Sequence, residues 1–453
     1  MHGLYSKELQ KIFDGNKIEI GDGILVEGKA GSIKGELMPS TEAGNPDVIV
    51  IKLDNGYNIG IAYSHDVEIN KISTGTKGVK FPAAKISKKP GLPKVTLLYT
   101  GGTIGSKIDY KTGGVYMLVK PEELLYDVPE LSELANIEVK HLFSIASEDM
   151  SYVEWQRIAK EAADALNSGS RGIVITMGTD TMHYTAAALS FMLQDLNAPV
   201  VITGAQRSSD RGSSDAFLNL LCAVQIAAKS DIAEVGICMH ASSSDDRCAF
   251  IRGNRARKMH TSRRDAFKAI NDKPLAFVDR KLNITYNNTY NKIVDDIDEA
   301  VEAAIGFESK VALVKVYPNS DPEILDFYAK KGYKGIIIEG TGLGHAPVST
   351  IHEDMLWRDH IKNAVEKGII VGMTSQCLYG RVNSNVYRNL RIIRGLEVTY
   401  CEDMLPETAL VKLGWLLGSF NADEAKQLLG RNLKMEIKSR SMFDAFVEGD
   451  KDG

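Results

Sequence analysis

Cysteine is scarce and unpatterned in this 453-residue chain: Cys222, Cys238, Cys248, Cys377 and Cys401 make an odd number with no C-x-x-C spacing. That excludes a disulfide scaffold, and the thiols read as free and mostly buried. The nine histidines form no i, i+4 pair beside a carboxylate, so no zinc signature is present and no metal is expected. No apolar run reaches the ~18 residues that span a membrane. Met1 to Glu8 mixes charges early and lacks the apolar core of a signal peptide, so a cytoplasmic chain is expected. A net charge of −5 excludes a globally basic coat, and any RNA contact must come from a local patch or a partner. A G-x-x-x-x-G-K-[ST] phosphate loop is also missing. Its nearest imitation, Gly340-Thr341-Gly342-Leu343-Gly344, reads as a turn.

What is present divides by texture. Residues 1–72 carry short alternating runs: Lys17 to Ile20, Gly23 to Val26, Asp47 to Leu53 and Tyr57 to Ile61. Asp54-Asn55-Gly56 between the last two is a type I′ hairpin signal. These predict a small β-barrel-like or antiparallel-sheet domain. Residues 73–94 form a linker with Lys77, Lys80, Lys85, Lys88 and Lys89 and no acidic residue. It is either a solvated hinge or a strip for RNA phosphates.

From residue 95 the pattern becomes β-branched runs alternating with amphipathic helices, the signature of a parallel sheet with crossover helices. Val95 to Tyr99, Gly172 to Thr176, Pro199 to Thr203 and Glu234 to Cys238 are the strands of a first α/β domain, 95–290. Helices are expected at Tyr152 to Leu166, Met182 to Leu196 and Ala216 to Ala227. Val311 to Val316, Gly335 to Glu339 and Gly368 to Gly372 belong to a second, smaller α/β domain, 291–440. A polar tail, 441–453, follows. Ligands of such sheets bind beyond the carboxyl ends of strands, and polar turns follow Tyr99, Thr176 and Thr203.

The first of these turns, Thr100-Gly101-Gly102-Thr103-Ile104-Gly105, sets a hydroxyl on a glycine turn where backbone amides could face an oxyanion. The second, Met177-Gly178-Thr179-Asp180-Thr181-Met182, repeats the Gly-Thr unit, and its Asp180 could equally cap the helix that follows. A threonine needs a base. Lys258 qualifies if burial and the neighbouring cations of Arg252 to His260 favour its neutral form, although that stretch alone also reads as a solvated basic loop. Ser147-Glu148-Asp149-Met150 reads as a helix cap. Alternatively, Ser147 donates to the carboxylate of a free amino acid while Glu148 and Asp180 bracket its ammonium.

Taken in order, Thr-Gly-Gly-Thr-Ile (100–104), Ser-Glu-Asp-Met (147–150), Gly-Thr-Asp-Thr (178–181) and Ala-Arg-Lys-Met (256–259) resemble the bacterial-type L-asparaginase/glutaminase amidohydrolases. The similarity extends over roughly residues 95–440. The resemblance implies the family's two-domain α/β fold, with Thr103 as nucleophile and Thr179, Asp180 and Lys258 as second hydroxyl, orienting carboxylate and base. It implies Ser147 and Glu148 as substrate-binding residues, with a tyrosine on the loop after the first motif. Tyr110 and Tyr116 both fit, and Tyr116 is preferred. Met177 stands where many members have histidine.

The added N-terminal module is similar to one branch of that family, the D subunits of archaeal Glu-tRNA(Gln) amidotransferases. That branch implies a glutaminase feeding ammonia to an E-type kinase/transamidase partner, as a homodimer within a heterotetramer. There, ATP and magnesium belong to the partner, tRNA(Gln) is held mainly by the partner, and this chain carries no cofactor. The alternatives are a stand-alone asparaginase and a non-catalytic amino-acid sensor. Glutamine and asparagine differ by one methylene, and the sequence does not separate them.

Overall fold

The computed structural model describes residues 5–28, 31–40, 45–53, 58–74, 89–108, 115–117, 128, 130–208, 214–294, 299–349, 352–443 and 446. The Asp54 to Gly56 turn and the linker lysines Lys77, Lys80, Lys85 and Lys88 lie outside them.

The N-terminal module is an antiparallel sheet of β1 (Gly23–Gly28), β2 (Gly31–Leu37), β3 (Val48–Lys52), β4 (Asn58–Ala62) and β5 (Glu68–Ser73), in the order β4-β3-β2-β1-β5. No ladder joins β4 to β5 among the described residues. Alternation puts Ile24 and Val26 of β1 and Ile49 and Ile51 of β3 inward. Helix α1 (Lys7–Gly15), capped by Ser6, lays Leu9 and Phe13 onto that face, one turn apart. Lys17 to Ile20, expected as a strand, is a turn: Lys17 takes φ 52° and Gly21 φ 92°. Ile18 still reaches the core, which is why its apolar signal resembled a strand.

The second sheet has eight strands. Five run parallel: β6 (Lys94–Tyr99), β7 (Asn136–His141), β8 (Gly172–Thr176), β9 (Val200–Thr203) and β10 (Val235–His240). β11 (Arg247–Arg252), β12 (Ala276–Asp279) and β13 (Ile284–Tyr286) continue antiparallel. The order is β13-β12-β11-β10-β9-β8-β6-β7. The sheet is therefore mixed where a parallel one was expected, because the link from His240 to Arg247 is too short for a crossover helix.

Successive side chains enter opposite layers. Leu98, Ile173 and Ile175 meet α2 (Tyr152–Asn167) and α3 (Met182–Met192) on one face. Leu97, Val174 and Val201 meet α4 (Ala216–Lys229) on the other. The expected helix Met182 to Leu196 stops at Met192, where Leu193–Gln194 pairs with Glu302–Ala303 as a two-residue ribbon.

A parallel four-stranded sheet follows, β14 (Val311–Lys315), β15 (Gly335–Gly340), β16 (Ile370–Ser375) and β17 (Thr399–Tyr400). Helix α5 (Pro406–Ser419) packs between the sheets, with Leu413 and Leu416 in the same core as Leu189 and Met192. Trp415 stacks on Phe191 at 5.7 Å and donates to Ala304 O at 2.9 Å. Four of the five cysteines are buried and Cys377 is exposed. Among the described residues no helix is long and apolar enough to cross a membrane, and no cluster of His, Cys, Asp or Glu is placed to hold a metal.

A fully buried pair ties the C-terminal segment to α5. Lys412 Nζ donates to Glu436 Oε1 at 2.6 Å and to Leu429 O at 3.0 Å, while Glu436 also accepts from the Leu433 and Lys434 amides. Glu436→Ala strands a buried cation and is expected to cost about 3–5 kcal/mol in denaturant unfolding. Lys412→Met combined with Glu436→Gln should recover part of that loss, because the glutamine still accepts from both amides.

Candidate active site

The turns after β6, β8 and β9 meet through their backbones. Thr100 N donates to Thr176 O at 3.1 Å, and Met177 N donates to Thr203 O at 3.0 Å. Gly102, at φ 89°, lies so close to the second turn that a Cβ there would sit 2.4 Å from Gly178 N. A Cβ on Gly178 would in turn fall 2.8 Å from Ser147 Cβ. Thr181 Oγ1 adds a 2.6 Å hydrogen bond to Ser147 O. Glycine at 102 thus meets two demands at once, a left-handed backbone and the absence of a side chain. The consequence is that Thr103, Ser147 and Thr179 are drawn to one edge of the sheet.

Thr179 is nearly buried and Thr103 partly so, whereas Asp180 and Glu148 are exposed. Lys258 comes from the far side of the sheet, on a short ribbon in which Ala256–Lys258 pairs with Phe267–Ala269. Its Nζ lies 2.8 Å from Thr179 Oγ1 and 2.5 Å from Asp180 Oδ1. Asp180 is therefore no helix cap: Thr181 occupies the N-cap position of α3, and its hydroxyl caps no amide of the helix. Nor is Ser147 the cap of α2. Ser147–Asp149 is a single 3-10 turn, and the capping box is Ser151 with Glu154. Ser147 Oγ is 3.5 Å from Glu148 Oε2, which leaves both at the crevice edge.

The basic stretch is not a solvated loop. Arg252 is held by Glu234 and Asp272, Arg255 by Asp403 at 3.0 Å, and Arg257 by Glu407. With those three cations neutralised by structural carboxylates, Lys258 is the one directed at the threonine turn. Tyr116 sits in a strand, Val115–Met117, opposite Lys107, and its side chain lies outside the described residues, as does Tyr110. Met177 is fully buried, within the core beneath the turn.

Sequence reasoning missed two supports. Asp215, fully buried, accepts from the Gln206 and Arg207 amides at 3.0 and 3.1 Å, pinning the turn after β9. Asn219 donates to Gly204 O at 3.0 Å and its Oδ1 faces His240 Nδ1 at 2.6 Å. A polar pair one turn apart on an otherwise apolar helix was the available signal. The second is His183, buried on the first turn of α3. Burial, then the cationic Arg257 and Lys258, push its pKa down to about 3.

Comparison with known proteins shows the family. Residues 94–290 match the family model described as asparaginase, N-terminal, and residues 310–429 match the glutaminase/asparaginase C-terminal domain. Residues 18–72 match the GatD N-terminal domain. The glutamyl-tRNA(Gln) amidotransferase D subunit of Pyrococcus furiosus is 51% identical over 440 residues, covering 95% of this chain and 97% of that protein. Its counterpart in Thermococcus kodakarensis is 47% identical over 448 residues, covering 97% and 99%. Among solved structures, L-asparaginase I from Vibrio cholerae aligns with TM-score 0.66 and 30% identity over 77% of this chain and 99% of that one. The thermostable L-asparaginase from Thermococcus kodakarensis aligns with TM-score 0.66 and 27% identity over 76% and 99%.

The packing of Gly102 makes a first expectation measurable. Gly102→Ala should push the first two turns apart and reduce amide hydrolysis by about tenfold or more, with a stability loss of about 1–3 kcal/mol by denaturant titration. For His183, an unfolded imidazole takes its proton near pH 6.5 and the folded one not until about pH 3. The unfolded state therefore binds more protons between those values. Stability is fully present above pH 6.5 and falls as pH drops, by up to about 1.4 kcal/mol per pH unit, and His183→Gln should flatten that slope.

Proposed function

Because the chain belongs to the asparaginase/glutaminase family, and within it to the glutamyl-tRNA(Gln) amidotransferase D subunits, we propose that it hydrolyses glutamine through a threonine nucleophile. The released ammonia passes to a partner protein that converts Glu-tRNA(Gln) to Gln-tRNA(Gln). The observation that carries the chemistry is the contact of Lys258 Nζ with both Thr179 Oγ1 and Asp180 Oδ1 beside the Thr103 turn. The match of residues 18–72 to the GatD N-terminal domain supports the amidotransferase over a stand-alone asparaginase.

In this mechanism Ser147 and Glu148 hold the carboxylate and ammonium of the substrate head group, and the side-chain carboxamide lies between the two threonine turns. The Thr103 hydroxyl attacks the amide carbon, its proton leaving through Thr179 toward the Lys258 side chain, which Asp180 orients. Backbone amides of the glycine turn would donate to the oxyanion. Collapse breaks the C–N bond, the proton goes to the leaving nitrogen and ammonia departs. Water activated by the same lysine then cleaves the threonyl ester to give glutamate. Tyr116, in the segment after the first motif, is assigned to substrate binding.

ATP and magnesium serve the partner's phosphorylation of the glutamyl ester, and the glutaminase chain takes part as a homodimer within a heterotetramer. tRNA(Gln) is held mainly by the partner. Thr103→Ala should abolish glutamine-dependent amidation of Glu-tRNA(Gln) by the reconstituted complex while leaving amidation from added ammonium salt intact. Loss of both activities would contradict the division of labour.

A further inference from the structure

The carboxyl edge of the eight-stranded sheet holds the amidase crevice, and a separate cavity lies at the opposite edge. It offers about 350 Å³ where Leu193 to Asn197 approaches β9, where Ala233 to Val235 opens β10 and where β11 ends at Arg252. The segment at Asn291 to Val294 and Lys434 complete its border. Both domains contribute.

Two groups on its wall are incompletely paired. Asn254 is 1% exposed, and its Nδ2 donates to Lys434 O at 2.6 Å, which fixes the amide's orientation. Its Oδ1 is left buried with no partner among the described residues. Such an orphan acceptor is rare in a native interior, because it forfeits a hydrogen bond without compensation. Lys434 Nζ reaches Leu193 O at 3.5 Å, the limit of a hydrogen bond, and burial lowers its pKa, the mark of a cation short of solvation. The exposed rim carries Asp195, at φ 51°, Glu299 and Lys292, whose Nζ lies 3.6 Å from Asp231. Arg252 and Glu234 also line the cavity but satisfy each other.

The wall therefore calls for a molecule with a cationic donor for the Asp195 carboxylate and an anionic acceptor for Lys434. We propose that this cavity is a second, non-catalytic binding site for a small zwitterion of the α-amino-acid class. Its carboxylate would meet Lys434 and its ammonium Asp195. An occupant would also bear on the crevice, since Asn254 lies four residues before Lys258 and its carbonyl accepts from Thr408 of the second domain at 2.9 Å.

The site does not depend on the amidase reading, and calorimetry with L-glutamine on the Thr103→Ala full chain separates the two. Two molecules per chain are expected. Lys434→Met should weaken one of them about tenfold or more, the loss of a charge-assisted hydrogen bond, with the other unchanged, and Lys434→Arg should retain both. Asp195→Asn, which suits the left-handed backbone and leaves the interior alone, should weaken the same molecule about twofold. Glutarate, lacking the ammonium, should not compete for it. A single molecule per chain that Glu148→Ala removes and both Lys434→Met and Asp195→Asn leave alone overturns the proposal. A single molecule sensitive to Lys434→Met or Asp195→Asn and indifferent to Glu148→Ala upholds it while contradicting the crevice assignment.

Discussion

The contact between Gly102 and the backbone of Met177-Gly178 is the constraint on which the crevice rests. A Cβ at position 102 would stand 2.4 Å from Gly178 N, so no other residue fits without moving one strand end away from the other. Gly178 repeats the arrangement against Ser147, and Gly204 against Met177 O. Three turns from separate strands are thus packed main chain on main chain. Two of them carry hydroxyls immediately beside these glycines, Thr103 and Thr179, so the separation of the two is set by the sheet rather than by flexible side chains.

Electrostatics completes what packing begins. Four cations lie between Arg252 and Lys258, and each has a carboxylate partner, but their tasks differ. Arg252, Arg255 and Arg257 bind buried acids on the sheet edge and in the second domain, which fixes the path of the chain. Lys258 alone is paired with an exposed acid, Asp180, and a hydroxyl, Thr179. This largely buried lysine thus divides its contacts between a hydroxyl oxygen and a solvent-facing carboxylate, whereas the arginines contact structural acids.

Much of this was legible in the sequence because parallel strands buried on both faces read as continuous β-branched runs, as Val95 to Tyr99 and Gly172 to Thr176 do. The Gly-Thr turns were visible for the same reason: glycine after such a run marks a strand end. Other features were hidden. β2, Gly-Ser-Ile-Lys-Gly-Glu-Leu, lies largely exposed, and its polar, glycine-bearing composition lacks a strand signal. Ile18 looked like part of a strand because its hydrophobicity reflects burial and not conformation. The antiparallel continuation through β11 to β13 depends on loop length and long-range pairing, and Asp215 and His183 act through neighbours that only the fold brings near. Local composition also misled at Arg252 to His260, where the charge that suggested solvent is folded inward against acids, more than a hundred residues away in the case of Asp403.

Everything in the proposed chemistry turns on the Thr103 hydroxyl as nucleophile, with the Thr179-Asp180-Lys258 group handling its proton. Acid quenching of the chain during turnover of glutamine, followed by peptide mass mapping, reads that assignment without an intermediate inference. A glutamyl ester is expected on the peptide containing Thr103, absent when Lys258 is replaced by Met. An ester on the peptide containing Thr179, with Thr103 unmodified, would contradict the assignment.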